Sequence, residues 1–149
     1  MSEVNSTTVF GCYEHVSIPQ LGIDDTIAKI DTGAYSGALH CTFVKETVRE
    51  SDGKKVLRFI PVDNHRHATE TENYSVVRVR SSTGHEVRRY LITTEINIQG
   101  KNYEITIGLS NRRKMKRQVL IGRRFLRQNN ILVDVRINQE LDTNRGDIL

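Results

Sequence analysis

The segment with the clearest chemical potential is Ala28-Lys29-Ile30-Asp31-Thr32-Gly33-Ala34, an apolar run that stops in a carboxylate, a small hydroxyl residue and a glycine. A strand ending in such a loop presents the carboxylate at its tip with backbone N–H groups turned towards it, as general acid–base chemistry requires. Taken alone, the tripeptide is explained more simply as a strand-ending turn. A second segment, Val119-Leu120-Ile121-Gly122-Arg123, is an apolar run entering glycine, arginine and then a short helical stretch. Its plain reading is a core strand with a glycine turn. Around it, Arg112, Arg113, Lys114, Lys116, Arg117, Arg123, Arg124 and Arg127 are interrupted by no acid, so the net charge of +4 is local and the rest of the chain is acidic on balance. Such a segment suits an anionic partner: an acidic peptide, a phosphate or a nucleic acid.

The elements that must position these residues read with a period of two. Residues 9–17, 26–30, 39–48, 55–62, 75–81, 87–98 and 102–109 are rich in Val, Ile, Thr, Tyr and Phe and are punctuated by Gly, Asp, Asn and Ser, which predicts an all-β chain. Pro19-Gln20-Leu21-Gly22, Ser51-Asp52-Gly53, Ser82-Thr83-Gly84 and Gln99-Gly100-Lys101 supply turns for four hairpins. Residues 63–73 read as a polar surface loop, 123–129 as the one short helix, and the chain from 138 onwards as a polar tail. The 149 residues, 37% hydrophobic, suffice for one modest core. They predict a single domain over 1–149 with its core in about 9–135, and exclude a two-lobed enzyme. No apolar run approaches a membrane span. The polar first eight residues carry no signal-peptide pattern, which predicts a cytoplasmic protein. Cys12 and Cys41 are expected as small buried side chains, not a disulfide framework.

The two chemical segments, in this order within an all-β chain, resemble the retropepsin-like aspartic proteases. Leu21-Gly22-Ile23, Ser36, Ala38-Leu39-His40, Gly84-His85, Arg89-Tyr90, Asn111-Arg112 and Leu120-Ile121-Gly122-Arg123 narrow the resemblance to a bacterial and archaeal branch. That branch is often labelled ATP-dependent zinc protease and is associated with ATP-grasp ligases that add glutamate. The resemblance covers about residues 11–134 and implies a partly closed acid-protease barrel with a flap hairpin and one short C-terminal helix. Aspartic proteolysis needs two carboxylates about 3 Å apart sharing one proton. With one Asp-Thr-Gly in the chain, the second must come from a twofold homodimer. The resemblance then implies Asp31, Thr32 and Gly33 as catalytic residues, Thr32 bonding across the axis. Ala34, the flap tip Ser82, Thr83, Gly84 and His85, and Arg89 and Arg123 would bind substrate.

Retroviral members carry an acid after Asp-Thr-Gly-Ala that pairs with the arginine of Gly-Arg; here Tyr35 and Ser36 follow. Arg123 therefore either pairs with another acid such as Asp134 or faces the cleft and binds an acidic substrate side chain. The zinc label gains little, because His85-Glu86 lacks a second histidine three residues on, and neither His65-x-His67 nor His40-Cys41 makes a four-ligand pattern. No metal or other cofactor is expected. The expected function is an aspartic peptidase or amide hydrolase acting on acidic peptides, poly-glutamate tails among them. A non-catalytic barrel gripping an acidic tail is the alternative. A nucleic-acid binder ranks last, because nine aromatic residues in no interleaved motif supply base stacking poorly.

Overall fold

The computed structural model describes residues 7–62, 68–80 and 83–142. In chain order the strands are β1 (Thr8–Phe10), β2 (Tyr13–Ile18), β3 (Ile23–Ile30), β4 (Ala38–Val48), β5 (Lys55–Pro61), β6 (Thr69–Thr71), β7 (Tyr74–Arg80), β8 (Glu86–Ile98), β9 (Lys101–Ser110), β10 (Val119–Ile121) and β11 (Ile131–Val133). A short helix, α1 (Arg123–Gln128), joins the last two. No helix among the described residues is long and apolar enough to cross a membrane.

Six strands close into a barrel in the order β10, β3, β2, β8, β9, β4, and β10 returns to pair with β4. The closure is complete where the sequence predicted a partial one. Its keystone is the three-residue β10, parallel to β3 through Val119↔Ala28, Leu120↔Lys29 and Ile121↔Ile30, and antiparallel to β4 through Val119↔Leu39 and Leu120↔Ala38. Alternation fills the interior: Tyr103, Ile105, Ile107 and Leu109 of β9 and Ile92, Ile96 and Ile98 of β8 are buried, while Glu95 of β8 and Asn102 and Glu104 of β9 are exposed. Each such aliphatic side chain contributes roughly 1.5–3 kcal/mol by leaving water. α1 caps one end with Phe125 and Leu126, and Phe125 meets Tyr103 edge-to-face at 5.2 Å.

All four expected hairpins are present. Gln99 and Gly100 both hold positive φ (55° and 77°), the geometry that lets a two-residue turn match the twist of long strands β8 and β9. The predicted strand 9–17 is broken at Gly11-Cys12 into β1 and β2, and β1 leaves to pair with β11. Cys12 is accordingly only half-buried, with its thiol donating to the Ile137 carbonyl, while Cys41 is buried and desolvation pushes its thiol up to about 11. The polar stretch read as a loop contains β6, which adds to β5 through Leu57↔Thr71 and Phe59↔Thr69; residues 63–67 lie outside the described residues. Arg49 fastens this outer ribbon by bonds to Asp52, Glu70 and Glu72 at 2.9–3.0 Å. The start of the tail is docked: Arg117 donates to the Leu141 carbonyl.

Candidate active site

β3 ends at Ile30, and the next residue is seized by the neighbouring strand: the Asp31 N–H donates to the Ile121 carbonyl at 2.8 Å. From there residues 31–37 form a loop laced to the start of α1. Arg123 N–H donates to the Ala34 carbonyl (2.8 Å) and Arg124 N–H to the Tyr35 carbonyl (3.0 Å). Gly122 allows this closeness. A Cβ there would overlap the Tyr35 carbonyl and lie 2.6 Å from Gly37 N, and one on Gly37 (φ +75°) would overlap the Leu120 carbonyl. The two glycine motifs of the sequence are therefore two halves of one interlock, with Asp31 at its edge.

Within the loop, Asp31 Oδ1 accepts the Gly33 N–H at 3.0 Å, which orients the carboxylate. Asp31 and Ala34 are half-buried, whereas Thr32 and Gly33 are exposed. Arg123 pairs with no acid among the described residues. Its Nη1 donates to the Gly33 carbonyl at 2.9 Å and its guanidinium lies 5.5 Å from the centre of the Tyr35 ring. Tyr35, which displaced the expected acid, thus supplies a π face instead of a charge. Asp134 is occupied elsewhere: Arg136 donates to it from Nε, Nη2 and the backbone N–H, holding its carboxyl down at about 2. Arg123 thus braces the loop that carries Asp31.

The predicted flap is the hairpin β7–β8, paired from Tyr74↔Ile92 to Arg80↔Glu86. Thr83, Gly84 and His85 are exposed at its tip, and Ser82 lies outside the described residues. Cross-strand pairing puts Arg78 opposite Arg88 on one face, where Glu86 and Glu46 come within 3.7 and 3.8 Å of them. The other face carries Val77, Val79 and Arg89. These three, with Ala34 and Gly37, border a cavity of about 320 Å³ under the hairpin. Arg89 and Ala34 are thus brought together, whereas Thr83, Gly84 and His85 border neither this cavity nor the one beside Asp31.

Asp31 opens onto a different cavity, of about 360 Å³, whose wall includes Lys29, Arg112, Lys114, Lys116 and Arg117. Sequence reasoning gave none of these five a place beside Asp31. The signal was present in Lys29, two residues before Asp31 and so on the same side of β3, and in the basic run itself. What was missing was the fold of 111–118 back over β3. Buried His40 directs it: its Nδ1 accepts the Arg112 N–H at 2.7 Å, and its backbone N–H donates to the Gln118 carbonyl at 2.8 Å. Burial pushes the Arg112 guanidinium down from its usual value while the Asp31 charge pulls it back up. As for zinc, the described residues hold no group of three or more His, Cys, Asp or Glu placed to bind a metal ion, and His40 Nδ1 is taken by the Arg112 N–H. They do not fit such a metal; His65 and His67 lie outside the described residues.

A closed β-barrel in which an Asp-Thr-Gly-Ala loop is interlocked with Ile-Gly-Arg ahead of a short helix is the retropepsin-like architecture. Residues 9–141 match the family model described as RimB-like, retropepsin-like aspartic endopeptidase RimB, and the chain belongs to that family. A protein of Shewanella pealeana named probable alpha-L-glutamate ligase is 29% identical over 129 residues, covering 85% of this chain and 28% of that protein. One of the same name from Desulfotalea psychrophila is 28% identical over 133 residues, covering 83% and 27%. The chain thus spans little more than a quarter of these relatives. A crystal structure of a Legionella pneumophila protein of unknown function is 26% identical, with a TM-score of 0.70, over 89% of this chain and 96% of that one.

Proposed function

We propose that the chain is an aspartic peptidase whose catalytic pair is Asp31 from each of two identical subunits, acting on glutamate-rich peptides. The observation that carries this reading is the braced loop: Asp31 is oriented by Gly33 N–H, while Thr32 and Gly33 stand exposed, free to meet their twofold copies. In the dimer one carboxylate is ionised and the other protonated. The ionised one takes a proton from water as the water oxygen attacks the peptide carbonyl carbon, and the protonated one gives its proton to the carbonyl oxygen. Collapse of the diol breaks the C–N bond: the departing nitrogen takes a proton from the protonated carboxyl while a diol hydroxyl gives its proton to the other carboxylate, which leaves one proton on the pair. The glutamate-rich substrate is suggested by the cations facing Asp31 and by the ligase name of the relatives.

Sedimentation should find a dimer, and wild type should cleave a hexaglutamate peptide while Asp31→Asn, matched in volume, does not. Cleavage by Asp31→Asn at the wild-type rate would refute the mechanism. The relatives' greater length favours a second reading, a module that holds a glutamyl chain without cutting it; glutamate binding with no turnover by wild type would select it.

A further inference from the structure

We propose that the basic cavity beside Asp31 is the subsite for an acidic substrate side chain, with Arg112 and Lys29 as its specificity-determining cations. This rests on the reading of Asp31 as the reacting carboxylate and names the part of the cleft that selects the substrate.

The two flanks of the Asp31 loop differ in chemistry. On the hairpin side, Val77, Val79 and Leu91 leave Arg89 as the one charged side chain bordering the cavity. On the other side, Lys29, Arg112, Lys114, Lys116 and Arg117 share the wall with a single acid, Asp31. Lys29 and Lys114 form no ion pair with any described acid. Arg112 is fixed before any ligand arrives, by His40 at its N–H and by the Arg117 carbonyl at its Nε, 3.0 Å away. A cation already held in place loses little freedom on meeting a carboxylate, and half-burial strengthens the attraction. Lys29 is exposed on β3, two residues before Asp31, and pairs with Leu120 of β10. The wall is therefore built from two strands and a pinned loop.

Such a wall also removes an obstacle. A glutamyl chain would otherwise be repelled by the Asp31 pair, and fixed cations between them offset that repulsion. The twofold axis of the proposed dimer would place one such wall on each side of the scissile bond. Acidic residues should then be preferred on both sides of it.

The test reads binding, so that it does not depend on turnover. Fluorescence anisotropy measures labelled hexaglutamate and hexaglutamine on the full Asp31→Asn chain, and on that chain with Lys29→Gln, Arg112→Gln or Arg127→Gln. Lys29→Gln alters an exposed side chain and keeps the test interpretable if Arg112→Gln fails to fold. Lys29→Gln and Arg112→Gln should each weaken hexaglutamate about tenfold or more. Hexaglutamine should be unaffected, and Arg127→Gln should leave both unchanged. An unchanged hexaglutamate affinity in Lys29→Gln, an equal loss from Arg127→Gln, or displacement of hexaglutamate by inorganic phosphate at equal concentration would overturn the subsite. Absence of cleavage by wild type refutes the peptidase reading and leaves this result standing. Cleavage without glutamate preference does the reverse.

Discussion

Gly122→Ala tests the interlock on which the candidate site depends. The added methyl would meet only backbone: the Tyr35 carbonyl, Tyr35 C at 2.7 Å and Gly37 N at 2.6 Å. None can swing away as a side chain would, because Arg123 and Arg124 N–H hold residues 34 and 35 at 2.8 and 3.0 Å. Overpacking of this kind costs about 1–3 kcal/mol, and straining two hydrogen bonds adds on the order of 1 kcal/mol each. Gly122 has φ −92°, which alanine adopts freely, so the stiffer unfolded chain returns about 0.4–1 kcal/mol. The balance is a loss of roughly 2–4 kcal/mol, or about 5–15 °C in Tm for a chain of this length. Gly108→Ala is the control: its nearest neighbour, the Gly37 carbonyl, would be 3.4 Å away, so its stability should change by about 1 kcal/mol or less. Urea denaturation gives the two values, and amide exchange at Arg123 and Arg124 should accelerate in Gly122→Ala alone. If the two variants were equally stable, with exchange unchanged, the interlock would not be the constraint described.

Arg123→Met should cost about 1–2 kcal/mol by removing the bond to Gly33 and the contact with Tyr35. It should lower kcat/KM equally for acidic and neutral peptides, and a loss confined to acidic peptides would restore Arg123 to the substrate. The Asp134 carboxyl, held at about 2 by Arg136, stabilises the fold above its unfolded value near 3.8. That contribution fades as pH falls towards 2. The stability difference between wild type and Asp134→Asn should therefore be constant above about pH 5 and shrink between pH 4 and 2. A difference independent of pH across that range would rule out the pairing.

The sequence showed its turns more readily than its shortest strands. Gly22, Gly53, Gly84 and Gly100 marked four hairpins because positive φ selects glycine locally, and the order of Asp31 and Gly122 foretold their meeting. β1, β6, β10 and β11 have three residues each, too few for a period of two to register, and only 119–121 was noticed, through the motif that follows it. The basic wall was hidden for another reason: it is made when 111–118 folds over Lys29, a contact set by buried His40 rather than by any local pattern. The contacts of Arg123 were equally illegible, because carbonyl oxygens and a tyrosine ring can take the place of the acid that its sequence neighbours lack.

The loop bearing Asp31 is braced by residues about 90 positions further along the chain. During synthesis it therefore leaves the ribosome with no strand to seize it and no glycine to receive it. Until Val119–Arg124 has followed, no nascent or truncated chain can assemble the interlock, and contacts of such separation are slow to form. Late assembly of this kind withholds the carboxylate loop from the immature polypeptide until the chain that braces it has been made.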